Sequence, residues 1–61
     1  MNNNPNNLKK GDKIVRADGK WRKGRYATFI SVKDDGDMLA RFGSHGKYFY
    51  AYAKNYVRRE Q

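Results

Sequence analysis

The sequence predicts a small all-β domain, five short strands curled into a partly open barrel. Three observations predict it. Glycine-bearing turn signals recur along the chain at Gly11, Gly19, Gly36, Gly43 and Gly46. The segments between them are rich in aromatic and β-branched residues. No stretch keeps a helical apolar period over the 10 to 12 positions that a helix needs.

The elements follow in order. Met1-Asn2-Asn3-Asn4-Pro5-Asn6-Asn7 is polar and low in complexity, so residues 1–7 are expected to form a disordered leader. The barrel is expected over 8–58. Lys10-Gly11-Asp12 turns into a first strand, Lys13 to Ala17, and Asp18-Gly19 ends it. Lys20 to Gly24 is a polar loop that carries Trp21. Arg25 to Lys33 is the strongest strand pattern. Both of its faces carry apolar groups, so a bend or bulge is expected within it. Asp34-Asp35-Gly36-Asp37 is a hairpin turn, Met38 to Phe42 a third strand, and Gly43-Ser44-His45-Gly46 a tight turn. Lys47 to Tyr52 is a fourth strand, Ala53-Lys54-Asn55 a single helical turn, and Tyr56-Val57-Arg58 a closing strand. Residues 59–61 are a tail. The expected core is Ile14, Val15, Phe29, Ile30, Leu39, Phe42, Phe49 and Val57.

At 61 residues the chain makes one domain at most. Folding buries only about 60% of the unfolded surface of such a chain. Cysteine is absent, so no disulfide can staple the fold, and one histidine cannot build a structural zinc site. Aromatic packing is the main resource, from three Phe, five Tyr and one Trp. Fourteen Lys and Arg face six Asp and Glu, a formal charge of +8. The isoelectric point near 10.1 is the electrostatic footprint expected of a nucleic-acid binder. No apolar run approaches the ~20 residues of a membrane span. A cytoplasmic location and no membrane partner are the corresponding expectations.

The opening Lys10-Gly11-Asp12-Lys13-Ile14-Val15-Arg16-Ala17-Asp18-Gly19, followed by Lys23-Gly24, resembles the KOW motif. That motif occurs in ribosomal proteins and transcription elongation factors built on an SH3-like barrel. The same Gly-Asp opening occurs in Tudor-like barrels and in plasmid-borne, trimethoprim-resistant dihydrofolate reductases. The resemblance spans Lys9 to Gly24 and implies a five-stranded, partly open SH3-like barrel. Beyond Lys-Gly, a KOW motif has a further glycine ahead of an aliphatic residue, where this chain has Arg25-Tyr26-Ala27-Thr28. The reductases carry Val-Gln-Ile-Tyr where this chain has Lys47-Tyr48-Phe49-Tyr50, so no reductase chemistry is expected.

Two constellations point to binding. The first is the loop cations Arg16, Lys20, Arg22, Lys23 and Arg25 around Trp21. Cations at this density can neutralise several phosphates, and a tryptophan among them can stack on a base or fold inward as a lid. The second is Lys47-Tyr48-Phe49-Tyr50-Ala51-Tyr52. Period-2 geometry puts Tyr48, Tyr50 and Tyr52 on one face and Phe49 and Ala51 on the other. With Arg41 and Lys47 beside them, outward-facing tyrosines would form a stacking platform; in the reverse phase the tyrosines would pack the core and Phe49 would lie outside. The two constellations are expected to converge on one wall of the barrel. The acidic turn holds three of the six acidic residues and should lie away from a bound polyanion. It lacks the bidentate Glu and ligand spacing of an EF-hand, so no metal is expected. No serine, histidine or carboxylate motif suggests catalysis, and no cofactor is expected. The expected function is therefore non-catalytic binding of DNA or RNA with modest sequence preference. The alternative is a small phage- or plasmid-type accessory protein that binds an acidic surface of a host protein.

Overall fold

The computed structural model describes residues 4–59. Five strands, β1 (Lys13–Arg16), β2 (Ala27–Val32), β3 (Asp37–Phe42), β4 (Tyr48–Tyr52) and β5 (Tyr56–Arg58), form one antiparallel sheet in the order β4-β3-β2-β1-β5. A 3-10 turn, Ala53–Asn55, links β4 to β5. Its ends tie distant parts together: the Ala53 amide donates to the Gly36 carbonyl at 3.0 Å, and the Ala17 amide donates to the Asn55 carbonyl at 2.8 Å. The chain thereby returns from the outer edge of the sheet to pair β5 with β1.

Pairing fixes the faces. Ala40 sits opposite Phe29 and Phe49, and Met38 opposite Val32 and Ala51, so these side chains share the inner face. The expected irregularity in β2 lies between Phe29 and Ser31, where the register against β3 shifts. Ala27 and Phe29 point inward before it. Beyond it, Ser31 faces outward opposite Leu39, and Val32 turns in.

The buried core is Leu8, Ile14, Ala27, Phe29, Met38, Ala40, Ala53 and Tyr56. This corrects the expected core. Ile14 and Phe29 belong to it, and Phe49 packs against it while half-buried. Val15, Phe42 and Val57 are only half-buried. Ile30 and Leu39 lie on the outer face. Ile30 is the residue at the bulge, and Leu39 has the same phase as Arg41. Met38, Ala40 and Tyr56 fill the interior instead. No buried side-chain N or O atom among the described residues lacks a partner.

Where disorder is expected at the start of the chain, Asn4 to Asn7 form a turn docked on the sheet. The Asn4 side chain exchanges hydrogen bonds with the main chain of Leu8, at 3.0 and 2.8 Å. The Asn6 amide donates to the Tyr56 carbonyl at 2.6 Å. Asparagine side chains mimic backbone groups, so a polar segment can dock without apolar burial. It delivers Leu8 to the core. Residues 1–3 of the expected leader and residues 60–61 of the expected tail lie outside the described residues. No helix among the described residues is long and apolar enough to cross a membrane.

Candidate functional site

The tyrosine alternation of β4 lies as its period requires. Phe49 and Ala51 face the core, and Tyr48, Tyr50 and Tyr52 face outward with 58%, 63% and 56% of their surface exposed. They are the most exposed large apolar side chains among the described residues. A ring this exposed gains little from packing, so burial does not account for three in a row.

Each ring carries a cation. The Arg41 guanidinium lies 4.6 Å from the Tyr48 centroid, Lys33 Nζ 4.9 Å from Tyr50, and Lys54 Nζ 5.7 Å from Tyr52. Such contacts are worth about 0.5–1 kcal/mol at exposed sites. Arg41 is oriented further: its Nε donates to the Gly46 carbonyl at 3.1 Å and one Nη to the Tyr48 hydroxyl at 3.2 Å. Lys47 stands exposed in the adjoining turn. Between the rings and the segment ahead of β1 runs a shallow open groove of ≈ 560 Å³, lined by Lys10, Ile30, Leu39, Tyr48 and Tyr50.

Sequence reasoning missed Lys10, Lys33 and Lys54, and it placed Ile30 and Leu39 in the core. Lys33 carried a weak signal, two positions beyond outward-facing Ser31, and Lys54 carried none, because it sits in the helical turn where strand alternation ends. Lys10 carried none, because its place depends on the chain ahead of β1 running beside β2. There the Gly11 amide donates to the Phe29 carbonyl at 2.9 Å, and the Phe29 amide donates to the Asp12 carbonyl at 2.9 Å.

The loop constellation lies elsewhere. Trp21 is half-buried, its ring 5.5 Å from Tyr56 in an edge-on arrangement and 6.2 Å from Phe42. Phe42 stacks on Phe49 at 4.3 Å, and Phe49 lies 6.2 Å from Tyr56. Trp21 thus lids an aromatic cluster on the inner face. The Arg25 guanidinium sits over both Trp21 and Phe42, at 5.1 and 5.2 Å. Arg16 is engaged by Asp18, with its Nη2 2.8 Å from a carboxylate oxygen and its Nε donating at 3.1 Å. Those hydrogen bonds hold the Asp18 carboxyl down at about 2 and raise the Arg16 guanidinium. Lys20, Arg22 and Lys23 are exposed.

The expected single wall is therefore two surfaces. Arg41 and the tyrosines occupy the outer face of the sheet, whereas Trp21 and Arg25 cap the inner-face rings. The loop that holds Trp21 folds over Phe42, and Phe42 has the opposite phase to Arg41. The acidic turn does not lie clear of the ladder either. Asp37 sits directly opposite Tyr52, so the ladder runs from a cationic end at Tyr48 to a mixed end at Tyr52.

Tyr26 is a further cation-flanked ring. Arg59 lies 4.7 Å and Lys13 Nζ 5.9 Å from its centroid, and its hydroxyl is 2.7 Å from Ser44 Oγ. Comparison with known proteins finds no matching family model, no matching curated protein and no matching solved structure.

Proposed function

We propose that this chain is a non-catalytic nucleic-acid-binding protein that neutralises phosphates with its surplus cations and stacks bases on exposed tyrosines. The observation that carries the proposal is the β4 ladder, three outward rings each with a basic side chain at its face. Nucleic acids present a π-face and a phosphate in every repeat, and this surface offers a partner for each. The net charge of +8 supplies long-range attraction. Lys20, Arg22 and Lys23 add a second basic surface on the loop. Sequence preference is modest in this reading, because no element among the described residues resembles a groove-reading helix. A cytoplasmic location fits such a role.

An SH3-like, partly open barrel is the architecture we favour for this sheet. Its support is the strand order β4-β3-β2-β1-β5 and the 3-10 turn ahead of β5. The KOW-like opening from Lys9 to Gly24 agrees with it.

The test is titration with DNA and RNA at two salt concentrations. With about 4–6 phosphates engaged on duplex DNA, log affinity falls against log salt with a slope of about −4 to −5. A slope near zero overturns the mechanism.

One observation favours a second reading, a small phage- or plasmid-type accessory protein that docks on an acidic surface of a host protein. Ile30 and Leu39 give the ladder groove an apolar floor that a protein side chain could fill. A stoichiometric protein partner retained from nuclease-treated lysate would support it over the first.

A further inference from the structure

We infer that the tyrosine face takes single-stranded nucleic acid in preference to duplex. Bases would lie on Tyr48, Tyr50 and Tyr52, and phosphates against Arg41, Lys33 and Lys54. The inference rests on the nucleic-acid reading above and narrows its substrate class.

Spacing is the first argument. Alternate residues along a strand are about 6.8 Å apart, twice the ~3.4 Å rise per residue. Bases within a duplex strand follow one another at about 3.4 Å, each covered on both faces by its neighbours. A protein ring can stack only on a base whose face is free. The ladder therefore matches a strand whose bases are unstacked and whose backbone is drawn out.

Stoichiometry is the second. A nucleotide carries one base and one phosphate. The ladder repeats one ring and one cation: Tyr48 with Arg41, Tyr50 with Lys33, Tyr52 with Lys54. A surface built only for the duplex backbone would need the cations without the rings.

Shape is the third. Reading duplex DNA in the major groove takes a helix or a two-stranded ribbon that enters it. Here the rings stand on the face of a five-stranded sheet, and the one helical element among the described residues is three residues long. Open sheet faces with aromatic rings suit strands that can be laid flat and splayed. The ladder also has a direction. Asp37 faces Tyr52, so the strand is held more firmly at the Tyr48 end.

The experiment is fluorescence anisotropy at fixed low salt with a labelled short oligo-dT, an oligo-U and a DNA duplex of equal length. The full chain is compared with Tyr50→Ala and Tyr50→Phe. Tyr50 is the most exposed of the three rings, so both variants should keep the fold, and thermal melting checks this. The expected result is single-strand binding about ten-fold or more tighter than duplex binding. Tyr50→Ala should weaken the single-strand complex by roughly 5- to 150-fold, the worth of one stacked base, and leave duplex affinity unchanged. Tyr50→Phe, which keeps the ring, should bind like the parent. The two single-strand arms report whether RNA or DNA is favoured. Duplex binding as tight as single-strand binding, or indifference to Tyr50→Ala, overturns the single-strand inference and leaves the nucleic-acid reading standing. Binding to none of the three removes that reading as well.

Discussion

The Arg41 guanidinium lies 4.6 Å from the centre of the Tyr48 ring and donates to the same residue's hydroxyl at 3.2 Å. The two are direct cross-strand partners on β3 and β4. A second hydrogen bond, from Arg41 Nε to the Gly46 carbonyl, pins the turn between those strands. One side chain thus orients the first ring of the ladder and fastens the hairpin that presents it.

Arg41→Lys tests that double role. Lysine keeps the charge but has no planar fork, so it cannot cover the ring and reach the carbonyl together. The variant should lose about 0.5–1 kcal/mol of stability, a fall in Tm of roughly 2–8 °C for a domain of this size. Single-strand affinity should fall by a few fold, because the Tyr48 ring is less well held. An unchanged melt would mean that the guanidinium contact is ornamental.

Gly46 closes the same turn for a steric reason. Its amide donates to the Phe42 carbonyl at 2.8 Å, and a Cβ built on it would meet the Phe42 carbonyl group and approach Phe42 Cβ to 2.9 Å. Both neighbours belong to a paired strand and cannot swing aside. Gly46→Ala should therefore cost roughly 1–3 kcal/mol, as overpacking does. A denaturation midpoint equal to that of the parent would show that the turn relaxes freely.

Asp18 sits among the loop cations and holds Arg16. The Arg16 hydrogen bonds, with help from the Lys20 amide, lower its carboxyl from 3.8 to about 2. The folded value lies below the unfolded one. The pair's contribution to stability is therefore complete above pH 3.8 and disappears as pH falls through about 2. Asp12, lowered by the Lys9 amide and by Arg58, changes in the same direction. Asp18→Asn should lose the Asp18 part of the acid sensitivity and keep the Asp12 part. Denaturation midpoints at the two ends of the window measure the difference. The same variant frees Arg16 and adds one unit of positive charge, so nucleic-acid affinity should rise by a few fold at low salt. A fall in affinity would mean that Asp18 organises the loop for binding.

How much of this was legible in the sequence depends on the residue. The strand order along the chain was readable because glycine turns and β-branched runs are local signals. The alternation of β4 was readable, and the wholly apolar Phe49 and Ala51 favoured the tyrosines as its outer set. Leu39 was misplaced although Arg41, two positions on, shares its face. Its hydrophobicity points to the core, but in a six-residue strand period decides the face. Ile30, expected in the core, lies outside because it sits at a bulge whose position depends on the partner strand and leaves no local signal. Tyr56 lies in a strand of three residues, too short to show a phase, and its burial is set by Trp21, Phe49 and Arg16 closing around it. Trp21 sits in a loop, where no period exists. That left its two readings, stacking platform and inward lid, equally open to composition.

Trp21 now separates folding from binding. Its ring packs on Phe42 and Tyr56 at the mouth of the inner-face cluster, under the Arg25 guanidinium. Removing it exposes those rings, so Trp21→Ala should cost about 2–3 kcal/mol, somewhat less than full truncation of a buried aromatic. A chain of this length has a total stability of only about 3–9 kcal/mol, so the melt should move far. Trp21 is also the single tryptophan of the chain. Its fluorescence should therefore report unfolding strongly. It should barely change when a single strand occupies the tyrosine ladder, which lies on the other face of the sheet. The measurement is a titration of the parent with oligo-dT under selective tryptophan excitation, set beside the anisotropy signal of the labelled strand. Saturating anisotropy with nearly constant tryptophan emission places the ligand on β4. Strong quenching at the same midpoint would instead put the bases on Trp21 and move the binding surface to the cationic loop.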